Sequence, residues 1–128
     1  MLLSELCKNI SKIDSKIPFI ELGGCGAFAY HLHNILRDKY NTKSEIVYTS
    51  NGLNQFIHIW VKVDDKIIDN KGIQDYYGGY KTIEHSELKN IINDKSAWNN
   101  KFHKGWMDSN FKWVDPCEEL ENLMHFYL

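Results

Sequence analysis

Leu3, Leu6, Ile10 and Ile13 recur at steps of three and four, the spacing that aligns side chains on one face of an α-helix. The stretch SKIP is expected to end this helix, because the residue before Pro18 is driven toward extended geometry. Gly23, Gly24 and Gly26 predict a turn around Cys25. After it, Phe28, Ala29, Leu32, Ile35 and Leu36 mark one face of a second helix running to about Tyr40. The period then changes to two. SEIVYT (44–49) predicts a strand, and QFIHIWVKV (55–63) a stronger one, with Ile57, Ile59, Val61 and Val63 alternating against His58, Trp60 and Lys62. KIIDN (66–70) resumes after Asp64-Asp65, so residues 55–70 are expected to form a hairpin.

The second half has weaker periodicity. Gly72, Gly78 and Gly79, interspersed with Tyr76, Tyr77 and Tyr80, predict a looping segment, and SELKNIIND (86–94) a short helix capped by Ser86. Residues 96–114 carry Trp98, Trp106 and Trp113, with Phe102 and Phe111, among polar residues. They are expected to be core, with a substrate groove as the alternative. Asp115-Pro116 suits the cap and first position of a last helix, whose buried stripe is Leu120, Leu123, Met124 and Tyr127. No repeat, low-complexity tract or linker divides the chain, so residues 1–128 are expected to form one domain.

Composition narrows the function classes. A chain of 128 residues with 43% hydrophobic content is enough for one core. Fifteen basic residues against seventeen acidic ones give a formal charge of -2, which provides no overall bias toward nucleic acid or an anionic membrane. Cys7, Cys25 and Cys117 are few, odd in number and widely spaced. That argues against a disulfide framework and for a reducing, cytoplasmic compartment. The N-terminal residues lack a basic start followed by a long apolar run, and no stretch approaches the roughly 18 apolar residues of a membrane span. The expected protein is neither exported nor membrane-embedded.

The candidate chemistry begins at Cys25, which the pattern sets in the first turn of the second helix. There, unpaired backbone N–H groups and the helix dipole favour a thiolate. Gly24 and its neighbours allow a substrate carbonyl and backbone donors to approach closely. The bland alternative is a tight turn with cysteine as a small filler. A thiol nucleophile needs a base, and the base an orienting group. If Asp64-Asp65 is a two-residue turn, Val63 pairs with Lys66, Trp60 with Asp69 and His58 with Lys71, which sets Asp69 diagonal to His58 on the same sheet face. A register change of one residue would put Asp69 on the other face.

GGCGAFAYHLHNILR, followed by a strand and then HIWVKVDDKIID, resembles the core of the transglutaminase-like superfamily within the papain-like cysteine enzymes. The resemblance covers residues 23–72. It matches Cys25 to the nucleophile, Phe28, Ala29 and Leu36-Arg37 to the helix that follows, His58 with Trp60 to the base strand, and Asp69 to the orienting acid. DKYNTKS replaces the family's Gly-Ile-Pro-like turn, and KIIDN lacks the usual Trp of the acid strand. Arylamine N-acetyltransferases share the same logic with RGG before the cysteine, but Leu22 stands before the glycines here, so acetyl-CoA is not implied. The resemblance implies an α+β fold, a cysteine-bearing helix packed on an antiparallel sheet, and a cysteine-dependent acyl-transfer enzyme. Its substrate would be a peptide, protein or small amide, its acyl acceptor water or an amine. The alternative is a binding or inhibitory protein that retains the fold.

The remaining candidates add little. The Cys25 N–H is the first expected oxyanion donor, with Gln55 and Asn54 as weaker candidates for the second, and Trp60 is expected on the site-facing side of its strand. His31 and His33 point about 200° apart on one helix and cannot chelate one metal together. Cys25, His58 and Asp69 contain no closely spaced ligand pair, and His85, His103 and His125 show no partner spacing. No metal or cofactor is implied.

Overall fold

The computed structural model describes residues 3–16, 25–94, 97 and 117–128, with the side chains of 117–119 excepted. In chain order these form α1 (Leu3–Lys16), α2 (Cys25–Asp38), β1 (Glu45–Ser50), β2 (Phe56–Val63), β3 (Lys66–Asp69), β4 (Gly72–Asp75), β5 (Lys81–Ile83), α3 (His85–Ile92) and α4 (Cys117–Tyr127). The turn expected at Gly23 and Gly24, the stop at Pro18, the aromatic set Trp98, Phe102, Trp106, Phe111 and Trp113, and the Asp115-Pro116 cap lie outside the described residues.

The fold is α+β. Five antiparallel strands form one sheet in the order β4-β3-β2-β1-β5, and the four described helices follow or precede the strands rather than alternating with them. The helices form where apolar residues share a face. Leu6, Ile10 and Ile13 of α1, Phe28, Leu32, Ile35 and Leu36 of α2, Leu88, Ile91 and Ile92 of α3, and Leu120 and Met124 of α4 are all buried in one cluster. The sheet supplies Ile46, Phe56, Ile59, Val61 and Ile68 to the same cluster. Among the described residues, no helix is long and apolar enough to cross a membrane.

The β2–β3 hairpin pairs Val63 with Lys66, Lys62 with Ile67 and Val61 with Ile68 around Asp64-Asp65, in the expected register, but the ladder ends before the expected pairs Trp60–Asp69 and His58–Lys71. Asp64 takes a φ of 52° as the first central residue of the turn, where hairpin turns of the primed types need positive φ and Asp tolerates it.

Three expectations are corrected. Ile57 does not share the buried side of β2 but is 62% exposed, because the β1–β2 register shifts between Thr49↔His58 and Ser50↔Phe56. Ile57 is the extra residue of that bulge, and Phe56 takes the core position instead. Residues 72–83 are not wholly loop: β4 pairs with β3 and β5 with β1 at the two edges of the sheet. Ser86 lies inside α3, whose N-cap is Glu84 in extended geometry without a side-chain capping bond.

Residues 76–80 carry the chain from one sheet edge to the other, four strand spacings or roughly 19 Å. They lay Tyr80 against Trp60 at 5.1 Å between ring centroids and Tyr76 beneath the Lys62 ammonium at 4.9 Å, so this connection covers the sheet face that carries His58, Trp60 and Lys62.

Candidate active site

Cys25 opens the described part of α2 and is buried. Its position on the first helical turn exposes it to the helix's positive end, and α2 packs onto β2 through the Phe28, Leu32 and Ile35 face. The last paired residues of the β2–β3 ladder are Val61 and Ile68, so the first half of β2 runs on beyond it. At this end Cys25, His58 and Asp69 come together.

His58 Nε2 and Asp69 Oδ2 are 2.8 Å apart, a hydrogen bond whose proton belongs to the ring because the carboxylate is acceptor only. Asp69 is nearly buried, and its second oxygen, Oδ1, accepts the Lys71 backbone N–H at 2.9 Å. The carboxylate is thereby fixed at both ends. With Nε2 committed to Asp69, Nδ1 is the ring nitrogen left for Cys25, whose sulfur interacts with the imidazole through a hydrogen bond and through its charge.

The electrostatics follow from these contacts. Burial disfavours a charged His58, but the hydrogen bond to Asp69, the hydrogen bond to Cys25 and the charges of both outweigh it and raise its pKa from 6.5 to about 9. Burial pushes the Asp69 carboxyl upward, while the hydrogen bonds from His58 and the Lys71 amide win and hold it below the ordinary carboxylate value. The arrangement therefore favours an imidazolium beside the Asp69 carboxylate at neutral pH.

Trp60 lies two residues from His58 on the same side of β2, edge-on to the imidazole with 4.4 Å between centroids. Its indole N–H is buried and has no hydrogen-bond partner among the described residues. Gln55 is bound into the β1–β2 loop: its side-chain oxygen accepts from Asn51 at 3.1 Å, and its backbone N–H donates to Asn51 Oδ1 at 3.0 Å. Asn54 is exposed in that loop with a φ of 59°. Gly24 lies outside the described residues.

Two groupings have no counterpart in the sequence reasoning. Asp14 of α1 accepts from the Asn70 side-chain amide at 2.8 Å and the Lys71 ammonium at 3.1 Å, directly after Asp69. The only prior signal was that Asp14 borders the buried stripe beside Ile13. His33 is hydrogen-bonded to Ser44 at 2.7 Å, with the His85 ring 5.5 Å from its own and Tyr30 stacked on His85 at 4.7 Å. Among the described residues, no three His, Cys, Asp or Glu side chains are arranged to hold a metal ion.

No protein-family model matches the chain, and no curated protein or solved structure matches it significantly.

Proposed function

We propose that the protein is a cysteine-dependent acyl-transfer enzyme acting on amide bonds, with a papain-like or transglutaminase-like core. The observation that carries this reading is the His58–Asp69 bond at 2.8 Å with the Cys25 thiol as a further neighbour of the same imidazole. A nucleophile, a base and an orienter in series constitute the minimum equipment for thiol catalysis.

In the proposed reaction the Cys25 proton resides on His58, and the thiolate attacks the amide carbon to form a C–S bond. The carbonyl oxygen becomes an oxyanion near the N-terminus of α2, where the Cys25 backbone N–H is a suitably placed donor. His58 returns its proton to the leaving nitrogen as the C–N bond breaks, leaving a thioester on Cys25. Water or an amine then attacks the thioester, with neutral His58 removing its proton, and Cys25 is regenerated. Throughout, Asp69 fixes the ring orientation and stabilises the imidazolium.

The test is iodoacetamide alkylation of Cys25 as a function of pH, read at the Cys25 peptide by mass spectrometry. Wild-type alkylation should persist well below pH ~8.5, where an ordinary thiol loses its thiolate. His58→Ala should return the profile to that of an ordinary thiol. Ordinary profiles in both proteins would sink the catalytic reading and leave a binding protein.

A further inference from the structure

We propose that Asp14 of α1 is a positioning residue: by clasping the side chains of Asn70 and Lys71, it holds the β3–β4 turn in the conformation that aims Asp69 at His58. This inference rests on the reading of Cys25, His58 and Asp69 as the reacting group.

The geometry runs in one direction. Asp69 is the last residue of β3, and its partner across the turn is Gly72, so Asn70 and Lys71 are the whole of the turn. Both of their side chains end on the same carboxylate, Asn70 on Asp14 Oδ1 and Lys71 on Asp14 Oδ2. The turn's backbone in turn holds the orienting carboxylate, because Asp69 Oδ1 accepts from the Lys71 N–H. A carboxylate oxygen gripped by the turn leaves only Oδ2 for His58, and the orientation of that oxygen is set by where the turn lies. Asp14 thus acts on His58 through two intermediaries and touches neither the base nor the thiol.

Burial makes this more than a surface ion pair. Asn70 is 1% exposed, and its Oδ1 has no hydrogen-bond partner among the described residues, so the contact with Asp14 is what satisfies the buried amide. An ion pair to an exposed lysine would contribute little by itself. The buried amide supplies the directional part of the clasp, and Lys71 brings charge compensation to the one aspartate that α1 sends to this turn.

The clasp is tested by following the His58 ring by NMR titration in the 128-residue chain, with no reaction required. The groups facing that ring are the Cys25 thiol from α2 and the Asp69 carboxyl from β3, with Trp60 alongside. In Asp14→Ala the midpoint should fall by about one pH unit or more, a tenfold loss of imidazolium relative to imidazole. Asn70→Ala, which breaks the clasp without changing charge, should move it in the same direction. Asp14→Asn keeps an acceptor for Asn70 and should fall between wild type and Asp14→Ala; it also serves if Asp14→Ala does not fold.

A purely structural aspartate would lower the melting temperature and leave the His58 midpoint of the folded protein where it was, which would overturn the proposal. A shift in Asp14→Ala with none in Asn70→Ala would equally overturn it, as that is a charge effect rather than positioning. Unmoved midpoints alongside persistent low-pH alkylation of wild-type Cys25 would remove the clasp alone. Ordinary wild-type alkylation would remove the catalytic reading on which it rests.

Discussion

On His58 two opposed effects act on one proton, and the balance can be read in stability as well as in reactivity. Burial alone would make the ring harder to protonate than a free histidine, yet Asp69 and Cys25 raise its pKa to about 9. The folded pKa lies above the unfolded value of 6.5. The stabilisation is therefore fully present below about pH 6.5 and is lost as pH rises through about 9. The side chain is only 23% exposed, so little of the effect is screened, and the rise corresponds to on the order of 3 kcal/mol. Urea unfolding of wild type and His58→Gln across pH 6 to 10 should show the difference largest at the acid end and shrinking through pH 9. A difference that does not vary with pH would mean that the ring contributes packing rather than charge. The same logic assigns Asp69 the opposite dependence: its pKa is depressed, so its contribution is lost on acidification.

One element up, the β1–β2 loop sets where His58 begins. Asn51 Oδ1 accepts the backbone N–H groups of Leu53 and Gln55 at 2.9 and 3.0 Å, and its backbone N–H donates to the Gln55 carbonyl at 3.0 Å. This side chain substitutes for a turn's backbone acceptors immediately before the bulge at Ile57. Asn51→Ala should cost about 0.5–1.5 kcal/mol in chemical denaturation, because two loop donors exchange their side-chain acceptor for water. Such a bulge is where sequence pattern fails. Alternation through Ile57, Ile59 and Val61 continues unbroken in the residues, while the pairing slips by one, and nothing in the side chains marks the slip. The β2–β3 register was legible for the converse reason: a two-residue turn fixes parity, and parity decides which face Asp69 occupies. The α1 and α2 faces were legible because their apolar residues recur at a 3.6-residue period, with a wet side on α1 and burial nearly all round on α2. The edge strands β4 and β5 were not. They are four and three residues long and mostly exposed, and only their pairing with β3 and β1 makes them strands. Asp14 was illegible as a site residue because its partners lie 56 and 57 positions away.

Across the molecule three of the described histidines are shifted in opposite directions, His33 and His85 downward and His58 upward. His33 and His85 lie between α2 and α3, with Tyr30 stacked on His85 and Ser44 bonded to His33. Burial lowers the His33 pKa, and the neighbouring His85 and Arg37 lower it further against a smaller opposing effect of Asp38. Burial also lowers His85, aided by Arg37 and Lys89. Both rings are therefore neutral in the fold at pH values where the unfolded chain would already take up protons. Where the unfolded state binds more protons, stability rises with pH, so this pair's contribution is lost as pH falls below about 6.5. Charging both rings would also bring two cations together across a 5.5 Å centroid separation. His58 acts at the other end, where its contribution is lost as pH climbs through about 9. Together they predict a stability profile with its maximum near neutrality and two limbs of separate origin. Thermal unfolding of the His33→Gln/His85→Gln double variant should flatten the acid limb and leave the alkaline limb in place, while His58→Gln should do the reverse. If both variants lowered stability evenly at every pH, the limbs would have to come from other groups, and proton linkage at these three rings would not govern the fold's pH range.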